Sequence, residues 1–160
     1  MSILFINFLK KDFRLSEVRN IMNIIYNDKK KDLPCEQLEA LFISAGWSDG
    51  SDSSKSLYFN APFINSTLVI SAWDGELLVG VVRVLSDKII RSVIHDLVVL
   101  PKYKNKGIGK ELVRRCIEHF PTSEWLVQTE KELIGYYEKM GFKIHDAVLT
   151  IPSIYQRPEK

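Results

Sequence analysis

The stretch His95-Asp96-Leu97-Val98-Val99-Leu100-Pro101-Lys102-Tyr103-Lys104-Asn105-Lys106-Gly107-Ile108-Gly109-Lys110-Glu111-Leu112 decides how this chain is read. An apolar run stops at Pro101, a turn rich in lysine and glycine follows, and apolar residues then return as Ile108, Leu112, Val113, Cys116 and Ile117. That second spacing is helical and predicts a helix over Gly107 to Phe120. Glycines in such a turn let backbone N–H groups approach a ligand with no Cβ in the way. The helix start adds unsatisfied N–H donors and a partial positive charge. Together they make an anion site of the size of a pyrophosphate, and Lys104, Lys106 and Lys110 add charge around it. The turn is not a P-loop, because no GK[ST] closes it. Nor is it a dinucleotide fingerprint, since the third glycine and the preceding βαβ strand are missing.

Working outward, Arg91 to Leu100 reads as the strand that enters the turn. Thr67 to Trp73 and Leu77 to Leu85 are two strands before it, joined by the hairpin signal Asp74-Gly75, with Ser86-Asp87-Lys88 as the next turn. After the helix come a short strand (Trp125 to Gln128), a helix (Lys131 to Met140) ended by Gly141, and two strands at Phe142 to Ile144 and Ala147 to Ile151. Toward the N-terminus, Ile3 to Phe8 reads as a strand. Leu15 to Tyr26 reads as a helix with Val18, Ile21, Met22 and Ile25 on one face. A second helix starts at Asp32-Leu33-Pro34, capped by Asp32 or a neighbour, and ends at Gly46. Ser48 to Lys55 is a polar loop, and a short helix from Lys55 to Asn60 is expected to stop at Pro62. A meander of strands followed by strand–helix–strand implies an α/β chain with a mixed sheet and helices packed on its faces.

The 160 residues suit a single domain over 1–160. Apolar residues at 46% and charged residues at 26% are those of a globular protein rather than a disordered one. A formal charge of +2 does not argue for nucleic acid, and no apolar run approaches the length needed to span a bilayer. The two cysteines, Cys35 and Cys116, form no CxxC and have no histidine at ligand spacing. No metal site and no disulfide framework are expected, and a reducing cytoplasm fits best.

The turn and its flanks resemble the cofactor-binding motif of the GNAT superfamily of N-acetyltransferases. That motif runs strand, V-x-P, then (Q/R)-x-x-G-x-(G/A) at a helix start. Here Val99-Leu100-Pro101 supplies the V-x-P and Lys104-Asn105-Lys106-Gly107-Ile108-Gly109 the turn. Lys104 stands where glutamine or arginine is usual, which keeps a cation but loses a bidentate fork. Downstream, Tyr136-Tyr137-Glu138-Lys139-Met140-Gly141-Phe142 resembles the family's (F/Y)-Y-x-x-x-G-F element. The resemblance covers about Thr67 to Ile144. It implies a GNAT-like fold, with a mostly antiparallel sheet, a splayed parallel pair and helices on both faces.

It also implies acetyl-CoA (CoA) as cofactor and transfer of its acetyl group to a primary amine. The backbone at Leu97, Val98 and Val99 would pair with the pantetheine arm. The turn from Lys104 through Asn105, Lys106, Gly107, Ile108 and Gly109 to Lys110 would hold the pyrophosphate. Thr129 would substitute for an asparagine that many members place after the short strand. Tyr137 falls at the family's tyrosine position, as general acid for the leaving thiolate, against the alternative of a core tyrosine. Neighbours on a strand face opposite sides, so only one of His95 and Asp96 can reach the acceptor. The resemblance favours Asp96 as base, because family members often use an acidic residue there, directly or through water. The acceptor pocket draws on Trp47, Trp73, Arg83 and His95, with Trp47 equally readable as a core anchor. The acceptor is a small molecule or a peptide amine. The competing function is a module that binds acyl-CoA without turning it over. The apolar segment Val148 to Ile154 offers a pairing edge for a homodimer.

Overall fold

The computed structural model describes residues 22–51 and 59–145. Its backbone divides into two compact units, residues 1–126 and 127–160.

The first unit is built on the predicted meander. Strands β2 (Leu68–Asp74), β3 (Leu77–Ser86) and β4 (Arg91–Val99) pair antiparallel in sequence order. Gly75, at φ +59°, makes the first connection tight enough for a hairpin. In the second connection Asp87 Oδ1 accepts the N–H groups of Ile89, Ile90 and Arg91, closing the turn with one carboxylate. Those three N–H groups hold the Asp87 carboxyl below its ordinary pKa.

An edge strand that the sequence pattern hid, β1 (Ile24–Asn27), pairs antiparallel with β2, from Ile24 opposite Asp74 to Asn27 opposite Ser71. It corrects the expectation of a helix over residues 15–26 at that helix's C-terminal end. Ile24, Ile25 and Tyr26 are β-branched or aromatic, and an open sheet edge outweighs their helical spacing. After α3 (Ile108–His119) the chain returns as β5 (Glu124–Val127) beside β4. A strand reached through a helical crossover lies parallel to its neighbour, so the sheet order β1-β2-β3-β4-β5 is mostly antiparallel with one parallel pair.

The register assigns the faces. Leu68, Ile70 and Ala72 lie opposite Val84, Val82 and Gly80. This is the face of α3, where Ile108 Cγ2 comes within 3.4 Å of where a Gly80 Cβ would be. A side chain at Gly80 would also meet the Val98 carbonyl at 3.3 Å, so glycine is what lets the helix start settle on the sheet. The other face carries Val69, Val81 and Val98. They are buried with Leu33, with Leu38, Leu41 and Phe42 of α1 (Cys35–Ser44), and with Phe63 of α2 (Ala61–Ile64). Each fully buried leucine there contributes roughly 1.5–3 kcal/mol of transfer free energy.

Helix α1 begins after Pro34, and Gly46 follows its end at φ +72°. No side chain caps its start; Asp32 Oδ1 instead accepts from Asn60 Nδ2 at 2.5 Å. Pro62 sits in the first turn of α2, where its missing N–H costs nothing.

In the second unit a 3-10 turn (Lys131–Leu133) leads into α4 (Ile134–Glu138), shorter than the helix expected there, and Gly141 follows at φ +95°. Residues 142–144, expected as a strand, form none. The strands expected at residues 3–8 and 147–151, the helix over residues 15–21 and most of the helix over residues 55–60 lie outside the described residues. So does the proposed pairing edge at 148–154.

Candidate active site

The lysine–glycine turn forms as its sequence predicts. Pro101–Tyr103 make a 3-10 turn, in which the Tyr103 N–H donates to the Leu100 carbonyl at 2.8 Å and the Lys104 N–H to Pro101 at 3.2 Å. Asn105 at φ +60° and Gly107 at φ +83° are both left-handed, and α3 starts directly after Gly107. Gly107 is the N-cap and offers no side-chain acceptor. The helix's own ladder starts only where the Glu111 N–H reaches the Gly107 carbonyl at 2.9 Å. The N–H groups of Ile108, Gly109 and Lys110 therefore point out of the first turn without an intrahelical acceptor. Lys104, Lys106 and Lys110 are exposed around them. The arrangement concentrates N–H donors and positive charge for an anion.

Strand β4 carries the next group of predicted residues. Arg83 lies opposite Asp96, while Val84, its neighbour, lies opposite Ile94. His95 is the extra residue of a β-bulge, which changes the expected alternation of His95 and Asp96. Ile94 shares the α3 face with Val84, yet Asp96, two residues on, shares the opposite face with Arg83. Arg83 Nε donates to Asp96 Oδ2 at 2.5 Å, with both side chains largely buried. The guanidinium also lies 5.9 Å from the Phe63 ring centroid and reaches Ser66 Oγ at 3.4 Å. His95 is exposed; partial desolvation first, and Arg83 second, lower its pKa from the usual histidine value. Leu97 and Val99 are half-buried and Val98 is buried in the α1–α2 core.

Trp47 and Trp73 both pack against that core. Trp47 meets the Phe42 ring edge-on at 5.6 Å. Trp73 donates its indole N–H to Ser71 Oγ at 2.8 Å. The first unit thus brings Arg83 and Asp96 together on the α1–α2 face. Sequence reasoning did not find two contacts that frame this region: Tyr103 with Asp74, and Gln37 with the β2–β3 hairpin. The partners are 29 and 41 residues apart, and no local pattern announces either.

In the second unit Tyr137 is buried, and its ring meets Tyr136 at 5.2 Å and Phe142 at 5.6 Å, both edge-on. Burial, with a smaller contribution from Tyr136, pushes its phenol up to about 12. Tyr136 is partly exposed. Thr129 is half-buried and Glu130 exposed.

Other groups are accounted for structurally. Cys116 is on the buried face of α3, and burial pushes its thiol up to about 12 and makes it inert. A recess lined by Asp28, Ile70, Arg115, Glu118 and His119 lies at the C-terminal end of α3, the end opposite the Gly107 turn. It holds none of the site residues expected from the sequence. Among the described residues no cluster of three or more His, Cys, Asp or Glu could hold a metal ion, and no helix is long and apolar enough to cross a membrane.

Residues 53–150 match the family model described as the acetyltransferase (GNAT) domain. A protein of Porphyra purpurea described as an uncharacterized N-acetyltransferase is 26% identical over 141 residues, 85% of this chain and 81% of that protein. Among solved structures, a GNAT-family acetyltransferase from Streptococcus pneumoniae superposes with a TM-score of 0.65 at 24% identity, covering 83% of this chain and 99% of that one. A putative acetyltransferase from Deinococcus radiodurans gives 0.69 at 20% identity, covering 83% and 91%.

Proposed function

Because the chain belongs to the GNAT acetyltransferase family, we propose that it moves an acetyl group from acetyl-CoA to a primary amine of a small molecule or peptide. The observation that carries the proposal is the turn before α3: two left-handed residues, Asn105 and Gly107, opening a helix whose first N–H groups are free and ringed by lysines. A diphosphate fits such a site through backbone donors. This is why a lysine at position 104 serves where a planar fork is usual. On this proposal the backbone at Leu97, Val98 and Val99 takes the pantetheine arm and Thr129 adds a contact to the cofactor.

Acetyl transfer to an amine requires a neutral amine, a polarised thioester carbonyl and a proton for the departing thiolate. Tyr137 is proposed as the proton donor. A phenol pushed up to about 12 holds its proton throughout the neutral range, as a general acid must. Asp96 is proposed to receive the proton of the incoming ammonium, directly or through water. Its Oδ2 is tied to Arg83, which leaves Oδ1 for the acceptor. Arg83 then acts by orienting that carboxylate. His95, exposed beside it on the bulge, and the walls formed by Trp47 and Trp73 complete the acceptor side. On this proposal the whole chain acts as one acetyltransferase domain, in a reducing cytoplasm that suits a chain with two cysteines and no CxxC.

The test is thiol release from acetyl-CoA by the purified chain, with a panel of polyamines, amino acids, aminoglycosides and short peptides. The expected result is release above background with one class of amine, with the acetylated acceptor identified by mass. If no amine raises release and millimolar acetyl-CoA leaves the melting temperature unchanged, the proposal is wrong.

A further inference from the structure

The turn that would receive the diphosphate lacks a support that such turns often have. Its N-cap is Gly107, with no side chain to accept from the helix, and two of its residues sit in the left-handed region. An unsupported segment of this kind must be ordered when an anion binds, at roughly 1–2 kcal/mol per residue fixed. Something outside the turn has to hold its shape.

Tyr103 does so from below. It is the buried residue of the 3-10 turn, 5% exposed between exposed lysines. Its hydroxyl donates to Asp74 Oδ2 at 2.7 Å, a charge-assisted bond to the last residue of β2. The Lys106 ammonium lies 5.2 Å from the Tyr103 ring centroid and that of Lys102 lies 5.9 Å away. The ring therefore fixes two cations of the turn as well as its backbone.

Asp74 is itself firmly seated. It opens the Gly75 hairpin, and Gln37 of α1 clamps the hairpin's backbone from the other side. Gln37 Oε1 accepts the Leu78 N–H at 2.6 Å while its Nε2 donates to the Glu76 carbonyl at 3.2 Å. A continuous path of hydrogen bonds and covalent chain thus runs from α1 through the hairpin to the turn.

We propose that Tyr103 and Asp74 form a positioning pair that holds the Pro101–Gly107 turn in its anion-binding shape, and so sets the affinity for the diphosphate part of the cofactor. This rests on the acetyl-CoA reading above. Neither residue touches the reacting atoms. The pair acts on the nucleotide end of the cofactor and leaves the pantetheine end alone.

The experiment compares wild type, Tyr103→Phe, Asp74→Asn and the double variant in calorimetric binding of acetyl-CoA and of acetyl-pantetheine, which lacks the diphosphate. Tyr103→Phe is expected to weaken acetyl-CoA about tenfold, the size of one lost hydrogen bond to a charged group, and to leave acetyl-pantetheine unchanged. Asp74→Asn keeps a neutral acceptor and is expected to lose less. The double variant should be no worse than Tyr103→Phe alone, because both changes remove one bond. Equal acetyl-CoA affinity in all four proteins overturns the pairing. So does equal loss for both ligands, the mark of general damage to the fold. If Tyr103→Phe does not fold, Asp74→Asn alone decides by the same two ligands. If wild type binds acetyl-pantetheine as tightly as acetyl-CoA, or binds neither, the cofactor reading itself falls and the pair with it.

Discussion

Arg83 and Asp96 face each other across β3 and β4, Nε to Oδ2 at 2.5 Å, at the point where a β-bulge turns Asp96 onto the face of α1 and α2. Their side chains are 17% and 13% exposed, so neither charge is well solvated and each depends on the other. Arg83→Met should therefore cost about 1–3 kcal/mol, chiefly from the stranded carboxylate. Adding Asp96→Asn should return part of that loss. Urea denaturation with an unchanged m-value is the measurement. A single variant within about 0.5 kcal/mol of wild type would show that the pair is solvated and carries no stability.

His95 reports the same pair by titration. Partial burial and then the Arg83 charge lower its pKa, while Asp96 acts the other way. The histidine is expected to titrate below its usual value near 6.5. The sign for stability follows: the unfolded chain takes up this proton first as pH falls, so the contribution is present above about 6.5 and is lost as pH drops through the folded value. Arg83→Gln removes the cation and leaves the carboxylate, so the midpoint should rise. An NMR titration of the His95 ring checks it, and a midpoint that does not move detaches His95 from Arg83.

The legibility of the chain follows the range of its interactions. The Gly107 turn was readable because its chemistry is local: positive φ, a proline stop and helical spacing lie within a dozen residues. The Asp74-Gly75 hairpin was readable for the same reason. Ile24 to Tyr26 read as the end of a helix because their spacing fits one, and only the open edge of β2 makes them a strand. His95 and Asp96 were expected to alternate, and the bulge that breaks the alternation leaves no mark in composition. The Arg83–Asp96 and Tyr103–Asp74 contacts join residues 13 and 29 apart, so they exist only once the strands are in register.

Gly107 makes a backbone prediction. A Cβ there meets nothing within 4 Å, so space does not require glycine, but φ +83° does. Gly107→Ala should cost about 1 kcal/mol, and Gly107→Val more, because a β-branched side chain tolerates left-handed backbone least. Gly107→Asn should be mildest. On the cofactor reading, acetyl-CoA affinity should fall in the same order. Melting temperatures and binding isotherms measured together check both. If alanine costs no stability, the turn has another conformation available in solution.

Tyr137 carries the prediction closest to chemistry. With its phenol pushed up to about 12 by burial, the side chain stays protonated wherever the fold is useful, so it should contribute no basic limb to a pH–rate profile below about pH 10. Tyr137→Phe should lower kcat about a hundredfold or more with the amine that the thiol-release panel identifies, at nearly unchanged acetyl-CoA affinity. Stability supplies an independent reading. The unfolded phenol ionises near 10 and the folded one about two units later, so the wild type should lose stability as pH rises between those values. The phenylalanine variant has no proton to lose there and should lack that component of the decline. An unchanged kcat with the alkaline component present in wild type and absent from the variant would keep Tyr137 as a buried core tyrosine and remove it from the reaction.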